Sequence, residues 1–219
     1  MTGSDSPAPE PRAGAPEPVG GDAPRELRRP GVEAALFAAL GRLIDRGEVP
    51  SDIPIGRLSR EAGISRATFY LYFADRRAFN LRLVVHGWEV LAEPLQRLWD
   101  AVTSGERAIE AALFDLMRVY RDHGAVMTAV MDAGTTDPEV AGTIQTQIDA
   151  LIDATTAALE QGQRAGTIRP VPARETAAVL VWMAERACSQ LGRSADDDRL
   201  RRLALAMAQL SRSGVVADP

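Results

Sequence analysis

The 219-residue sequence contains no lysine, one cysteine and two histidines, and only 5% of its residues are aromatic. A single cysteine, Cys188, excludes an internal disulfide and fits a reducing compartment, so we expect a cytoplasmic protein. No apolar run free of charge approaches the ~18–20 residues of a membrane span. The N-terminus has no apolar segment behind a basic start, so we predict neither a membrane helix nor a secretory signal.

Motifs for catalysis or metal binding are equally scarce. His86 and His123 fall, with Cys188, on separate predicted helices, and the i,i+3 spacing of His86 and Glu89 is weak evidence for a metal pair. The sequence contains no Gly-x-Ser-x-Gly, no phosphate loop and no dinucleotide fingerprint. We therefore expect no cofactor, no metal and no enzymatic activity, and we interpret Cys188 as a small buried hydrophobic residue.

Positive charge is abundant in only one region, although the whole chain has a net charge of −5. Residues 25–82 carry 11 arginines against 7 acidic residues, a net charge of +4, whereas residues 1–24 and 83–219 are acidic. A basic block between acidic flanks indicates a local anion-binding surface. Charge alone does not separate such a surface from a chance imbalance in a chain that is 25% charged.

The hydrophobic pattern predicts an all-α fold in two units. Residues 1–24 are rich in proline, alanine, glycine and acidic residues and are predicted to be disordered, and a basic arm of Arg25, Arg28 and Arg29 follows. A three-helix unit of helix-turn-helix type is predicted over 25–75, and a six-helix bundle over 76–219. The predicted helices cover 32–46, 55–62, a segment capped by Ser65, 75–99, 106–123, 125–133, 138–165, 173–191 and 197–212.

The few aromatic residues concentrate in one short stretch, GISRATFYLYFADRRAF, at 63–79. Two short helices joined by a glycine turn predict a helix-turn-helix. Leu58, Ile64 and Phe69 should form its small core, with Phe73 and Phe79 anchoring it to the first and fourth helices. Gly63 is expected at positive φ, where a side chain would be strained.

An inward Phe69 directs its neighbours on the same helix outward, toward a major groove. Arg66 can donate two parallel hydrogen bonds to a guanine base. Thr68, Tyr72 and Arg76 are placed to contact phosphate oxygens. The predicted DNA-contacting residues are Ser65, Arg66, Ala67, Thr68, Tyr70, Tyr72 and Arg76.

The segment LSREAGISRATFYLYFADRRAF resembles the helix-turn-helix of TetR-type bacterial regulators, and the resemblance covers roughly residues 32–80. Two positions depart from the usual pattern. Ser59 replaces a usual alanine, and Pro54 replaces a usual serine or threonine cap, which puts the first hydrogen bond of the second helix in doubt. The pattern is met by Leu58, Ala62, Gly63, Ile64, Ser65, Thr68, Phe69, Tyr70, Tyr72, Phe73 and Arg76.

Together with WMAERACSQL near the C-terminus, GISRATFYLYF most resembles the EthR-like branch of that family. The resemblance implies an apolar tunnel in the bundle that binds an apolar or amphipathic small molecule. The residues that it assigns to this tunnel are Trp88, Leu113, Leu116, Met117, Tyr120, Met131, Ile144, Ile148, Leu151, Thr155, Val181 and Glu185. Plain core packing explains most of them equally well. Glu185 is the exception, because a carboxylate on an apolar helix needs a partner from another helix, water or a ligand.

The resemblance also implies a homodimer built from the last two helices, and therefore a palindromic operator in double-stranded DNA. The predicted dimer face comprises Leu180, Ala184, Ala187, Leu191, Leu203, Ala204, Ala206, Ala208 and Leu210. Three functions remain open at this point. They are a repressor released by a ligand, a regulator of the same fold without a small-molecule site that is constitutive or controlled by a protein partner, and an enzyme or interaction module with an incidental helix-turn-helix.

Overall fold

The computed structural model describes residues 29–102 and 106–215, so the predicted tail and most of the basic arm lie outside the described residues. The nine predicted helices are confirmed within these ranges. A 3₁₀ turn, Pro50–Asp52, precedes α2, and a π-helical turn, Ala187–Gly192, follows α8. The helices are α1 Arg29–Asp45, α2 Ile55–Glu61, α3 Arg66–Tyr72, α4 Arg76–Val102, α5 Glu106–Asp122, α6 Gly124–Thr136, α7 Pro138–Arg164, α8 Ala173–Arg186 and α9 Asp197–Val215.

Side-chain caps set the start of the third and fourth helices, as the sequence predicted. The Ser65 hydroxyl accepts a hydrogen bond from the Thr68 amide at 2.9 Å, and Asp75 accepts one from the Ala78 amide at 2.8 Å. Pro54, in contrast, caps α2 without any side-chain hydrogen bond. The expected departure at this helix start is therefore confirmed.

The predicted eighth helix is too long, because regular α-helix ends at Arg186 and the next turn widens into a π-helix. A sequence pattern of apolar residues cannot distinguish these two geometries over a single turn. The widened turn packs Ala187, Cys188 and Gly192 inward against the bundle.

A dense apolar core unites α1, α2, α3 and the start of α4, which we call the head. Leu58, Phe69 and Phe79 have no exposed surface. The ring centroids of Phe69, Phe73 and Phe79 lie 5.3–5.8 Å apart, within the range of favourable aromatic contacts. This packing explains why a protein so poor in aromatic residues places them here.

The remaining helices form the bundle, in which α5 packs against α4 and α9, and α7 packs against α8. The head is held to it by packing of α1 and the 3₁₀ turn against α6. Ion pairs support the junction: Arg77 on α4 lies 2.6 Å from Asp137 before α7, and Arg82 on α4 lies 3.0 Å from Glu33 on α1. None of the described helices is long and apolar enough to cross a membrane.

Candidate functional site

The turn between α2 and α3 sets the angle at which α3 leaves the head. Gly63 adopts φ +72°, the left-handed conformation expected from the sequence. The Ile64 amide donates to the Ser59 carbonyl at 3.0 Å, closing the turn. Leu58 and Phe69 are fully buried on either side of it, so the predicted small core is confirmed.

The opposite side of α3 faces solvent. Arg66, Ala67 and Tyr70 are exposed, as predicted from the inward position of Phe69. Arg66 lies over the Tyr70 ring with its guanidinium carbon 5.6 Å from the centroid, and it donates to the Tyr70 hydroxyl at 3.3 Å. The guanidinium and the phenol hydroxyl therefore project together into solvent, where they could reach into a groove of duplex DNA.

Leu71 belongs to the same exposed face and was missed by the sequence analysis. Its side chain is 82% exposed, an unusual position for a leucine in a folded domain. A residue two positions after the buried Phe69 points roughly 200° away from it on a helix, so the register contained the signal. The apolar character of leucine suggested a core position instead.

The other predicted DNA-contacting side chains at the start and end of α3 already have partners within the protein. The Ser65 hydroxyl caps the helix and also lies 2.8 Å from the Thr68 hydroxyl, so both groups already have hydrogen-bond partners. Tyr72 is half-buried and packs against the core of the head.

Arg76 does not have the geometry predicted for a phosphate contact. Its guanidinium donates to the carbonyl oxygens of Pro50 at 2.8 Å and Ile53 at 2.9 Å, and to Asn80 at 3.2 Å. Burial lowers the pKa of this arginine below its usual value. The structure therefore corrects the assignment: Arg76 fastens the turn before α2 to the start of α4.

Five of the eight arginines whose side chains the structure describes in the basic block pair with carboxylates, which narrows the candidate anion-binding surface. Arg42 and Arg46 both bind Glu61, at 2.9 and 2.5 Å, and they lower the pKa of its carboxyl to about 2. Among the described side chains, the exposed Arg60 and Arg66 have no carboxylate partner. Within the described part of the basic block, the exposed arginines without a carboxylate partner therefore lie on α2 and α3.

A second candidate site is a cavity of about 200 Å³ inside the bundle, walled by helices α4 to α9. Eleven of the twelve residues assigned to the ligand tunnel line it. They are Trp88, Leu113, Leu116, Tyr120, Met131, Ile144, Ile148, Leu151, Thr155, Val181 and Glu185.

Met117 is the exception, because it has no exposed surface and lies outside the cavity wall. Leu113, Leu116 and Tyr120 form the stripe of α5 that faces the cavity, and Met117 is one position off that stripe. It packs against the π-helical turn instead, within 3.6 Å of where a side chain on Gly192 would begin.

Helix α4 lines the cavity with several residues that were not predicted from the sequence. Beyond Trp88, this helix contributes residues at intervals of three and four positions along one face. That spacing, counted outward from Trp88, could have located them. They are Val84, Leu91, Leu95, Leu98 and Trp99.

Few polar groups reach the cavity. Thr155 accepts a hydrogen bond from the Trp99 indole at 3.3 Å and donates to the Leu151 carbonyl at 2.8 Å, so it is satisfied within the bundle. Both carboxylate oxygens of Glu185, in contrast, are buried without a hydrogen-bond partner. Burial and the neighbouring Glu185 charge raise the pKa of the Cys188 thiol to about 12, so this thiol stays protonated and unreactive.

Arg186 is the nearest cation to Glu185, with Nε 3.3 Å from one carboxylate oxygen. The contact meets the distance of an ion pair but not the geometry of a hydrogen bond, since both oxygens lack a donor. The arginine side chain is 61% exposed. Consecutive helical residues do not face one another, so Arg186 leaves the Glu185 oxygens without a hydrogen-bond donor.

The predicted dimer face is only partly exposed. Ala187, Ala204 and Ala208 are buried within the single chain, and Leu180 and Ala184 line the cavity. Helical spacing alone could not tell these inward faces from an outward one. Apolar residues exposed on α8, the π-turn and α9 include Val179, Trp182, Leu191, Leu205, Ala206 and Leu210, of which Leu191, Ala206 and Leu210 were predicted for the dimer face.

No cluster of three metal-ligating side chains occurs among the residues that the structure describes. His86 stacks on the Phe37 ring at 4.6 Å between centroids, and its Nδ1 lies 3.6 Å from Glu89. This histidine therefore contributes to the contact between α1 and α4.

Both the sequence and the fold of the chain are similar to those of known proteins. A family profile described as "Transcriptional regulator EthR, C-terminal domain" matches residues 107–207. The chain is 31% identical to the HTH-type transcriptional regulator EthR of Mycobacterium tuberculosis, over 70% of this chain and 72% of that protein. It is 32% identical to EthR of Mycolicibacterium smegmatis, over 70% and 71%. A TetR-like transcriptional regulator from Rhodococcus has the same fold, with a TM-score of 0.61 at 19% identity, covering 88% of this chain and 99% of that one.

Proposed function

The chain belongs to the TetR family of DNA-binding transcriptional regulators, in its EthR-like branch, and from that membership we propose a ligand-controlled dimeric repressor. Members of this family are regulators and not enzymes. In this proposal, the dimer binds a palindromic operator and leaves it when an apolar or amphipathic small molecule enters the bundle cavity. Its site of action is the chromosome, so we place it in the cytoplasm. The apolar cavity, which reaches α4 and α6, is the observation that carries the proposal.

The exposed face of α3 supports DNA reading in the major groove. Arg66 and Tyr70 project together, and Arg60 supplies an exposed positive charge on the neighbouring helix. We assign Arg66 to base edges and Leu71 to an apolar contact such as a thymine methyl group. The remaining proposed contacts, Ser65, Ala67, Thr68 and Tyr72, position the helix on the backbone.

Exposed apolar residues on the last two helices support a two-fold dimer. Val179 is 67% exposed and Leu210 65%, and Trp182, which also lines the cavity, is 38% exposed. Monomeric proteins rarely expose such apolar residues together, and their contact across a two-fold axis would bury them. The same symmetry would present two α3 helices to two half-sites of a palindrome.

Two helices connect the cavity to the head. The middle of α4 lines the cavity at Trp88, and its first turn fastens the turn before α2 through Arg76. Helix α6 lines the cavity at Met131, while its Asp132 accepts a hydrogen bond from Ser51 of the head at 3.4 Å. A ligand that prefers a different arrangement of these helices would lower operator affinity, and DNA would lower ligand affinity by the same factor.

Selection of bound sequences from a random DNA pool tests the DNA-binding part of the proposal. We expect one palindrome to be enriched and to bind in a salt-sensitive manner. Arg66→Ala should relax preference at one operator position at a cost of about 1–3 kcal/mol, whereas Arg60→Ala should weaken all sequences about equally. An unchanged ranking of operators for Arg66→Ala would remove this residue from base reading.

Titration of apolar and amphipathic compounds against the operator complex tests the ligand part. Release of DNA by a compound that binds the protein is the expected result. Compounds that bind in the cavity and leave operator affinity unchanged would favour the alternative regulator, which is constitutive or controlled by a protein partner.

A further inference from the structure

The cavity has one carboxyl group in its wall. Among its described lining residues there is no arginine and no aspartate, and Glu185 is the only carboxylate. Glu185 faces the cavity together with Val181 and Cys188, which lie one turn before and one turn after it on the same side. A ligand that enters this space therefore meets a single carboxyl group on a largely apolar surface.

That carboxyl group is not satisfied by the protein. Both Glu185 oxygens are buried and accept no hydrogen bond, although a buried carboxylate normally accepts two or more. Arg186 lies at ion-pair distance, but its guanidinium extends along the exposed side of the helix. Charged donors make the strongest hydrogen bonds to carboxylates, so the site lacks the partner that a cationic ligand would supply.

The aromatic residues of the wall favour the same kind of ligand. All three tryptophans of the protein, Trp88, Trp99 and Trp182, line the cavity together with Tyr120. The faces of such rings attract ammonium groups, and more strongly where the contact is shielded from water. The wall thus combines an unpaired carboxylate with aromatic surface.

Cavity volume limits the size of the ligand. The space of about 200 Å³ is somewhat larger than a cavity of ~150 Å³ that holds one benzene molecule. It fits one ring with a short chain, or an alkyl chain of similar volume. We propose that the effector is a small lipophilic amine, with its ammonium group hydrogen-bonded to Glu185 and its apolar body between the tryptophans. This inference rests on the proposed function and names the ligand class of that site.

A matched pair of compounds tests the inference at pH 7. The probe is 2-phenylethylamine, an alkylamine that is protonated at this pH as lysine is, and the neutral comparison is 2-phenylethanol. Calorimetry on the full chain should show the amine binding about tenfold or more tighter than the alcohol. The amine should also release the selected operator at lower concentration.

Glu185→Gln should remove this preference, lowering amine affinity about tenfold or more while leaving alcohol affinity nearly unchanged. Glu185→Asp keeps the charge and should retain a preference for the amine. Glu175→Gln is the control, because it removes a carboxylate from the same helix at an exposed position outside the cavity wall. Circular dichroism and thermal unfolding check that each variant is folded.

The possible failures are distinguishable. Equal binding of amine and alcohol, insensitive to Glu185→Gln, would overturn the amine inference and leave a neutral ligand site in place. If Glu185→Gln lowered the affinity for the amine and the alcohol equally, the carboxylate would have a structural role, and the inference would be overturned as well. Failure of both compounds to bind the unmodified protein would count against the amine and the proposed small-molecule site together.

Discussion

The head and the bundle bury apolar side chains in opposite ways. In the head, Leu58, Phe69 and Phe79 are fully buried in one apolar core. In the bundle, helices of similar composition enclose a cavity of about 200 Å³ and a carboxylate without hydrogen bonds. Close packing fixes the orientation of side chains that read DNA, whereas imperfect packing leaves a volume that a ligand can fill. The difference separates a rigid reading surface from an adaptable sensor.

Phe69→Ala should have the largest effect, because it removes the centre of the head core. Truncation of a buried phenylalanine typically lowers the free energy of unfolding by about 3–5 kcal/mol. Amide hydrogen exchange should accelerate in α2 and α3 far more than in α5 and α9, and operator binding should be lost. Leu71→Ala is the control, since this neighbour is exposed and its removal should leave stability nearly unchanged. Equal acceleration in all four helices would show that head and bundle open as one unit.

Arg76→Ala should rank second and should act on the stability of the head. It removes a charged donor from the Pro50 and Ile53 carbonyls, at an expected cost of about 1.5–3 kcal/mol in unfolding free energy. Arg76→Lys keeps the charge but cannot reproduce the forked geometry, so it should recover little stability. The salt dependence of operator binding should keep its slope in both variants. If the salt-dependence slope of operator binding fell by about one in Arg76→Ala and returned in Arg76→Lys, the original prediction of a phosphate contact by Arg76 would be right.

Ala158→Leu should test the difference in packing between head and bundle by partly filling the bundle cavity. Ala158 lines the cavity, so three added carbon atoms would occupy part of its volume. We expect the free energy of unfolding to rise by about 0.5–2 kcal/mol, as in other cavity-filling variants, and ligand affinity to fall. Ala157→Leu is the matched control, because the neighbouring residue is exposed on the same helix. Thermal unfolding and calorimetry measure both quantities, and similar results for the two variants would mean that the cavity is not the ligand site.

Glu61→Gln should produce the smallest effect, a change in how acid lowers stability through one ion-pair cluster on the surface of the head. Arg46 and Arg42 lower the pKa of Glu61 from 4.5 to about 2. A depressed carboxyl pKa stabilises the folded state above the unfolded value, and that stabilisation disappears as the pH falls from about 4.5 to about 2. Denaturant unfolding across this range should therefore show a shallower acid loss for Glu61→Gln than for the unmodified chain. Glu160→Gln, in the bundle, should follow the unmodified curve, and a parallel decline in Glu61→Gln would contradict the assignment.

The head was more predictable than the bundle, for a physical reason. Its contacts join residues close in sequence, so the spacing of Leu58, Gly63 and Phe69 was enough to predict the turn and the outward position of Arg66. Arg76 was misassigned because its partners are carbonyl oxygens more than twenty positions away, which no side-chain pattern reveals. In the bundle, eleven of the twelve residues assigned to the tunnel line the cavity, but most of the α4 wall was not predicted, and helical spacing could not separate Met117 from its neighbours.

The sequence by itself determined the nine helices of the described residues, the capped turn of the head and the presence of Glu185 on the apolar part of α8. These features depend on local hydrogen bonds and on the period of the apolar residues. Only the tertiary structure decided that the bundle core contains a cavity, that Glu185 faces it without a partner, and which faces of α8 and α9 remain exposed. Those outcomes depend on how closely distant helices approach one another, and apolar periodicity is the same whether the helices close on each other or leave space between them.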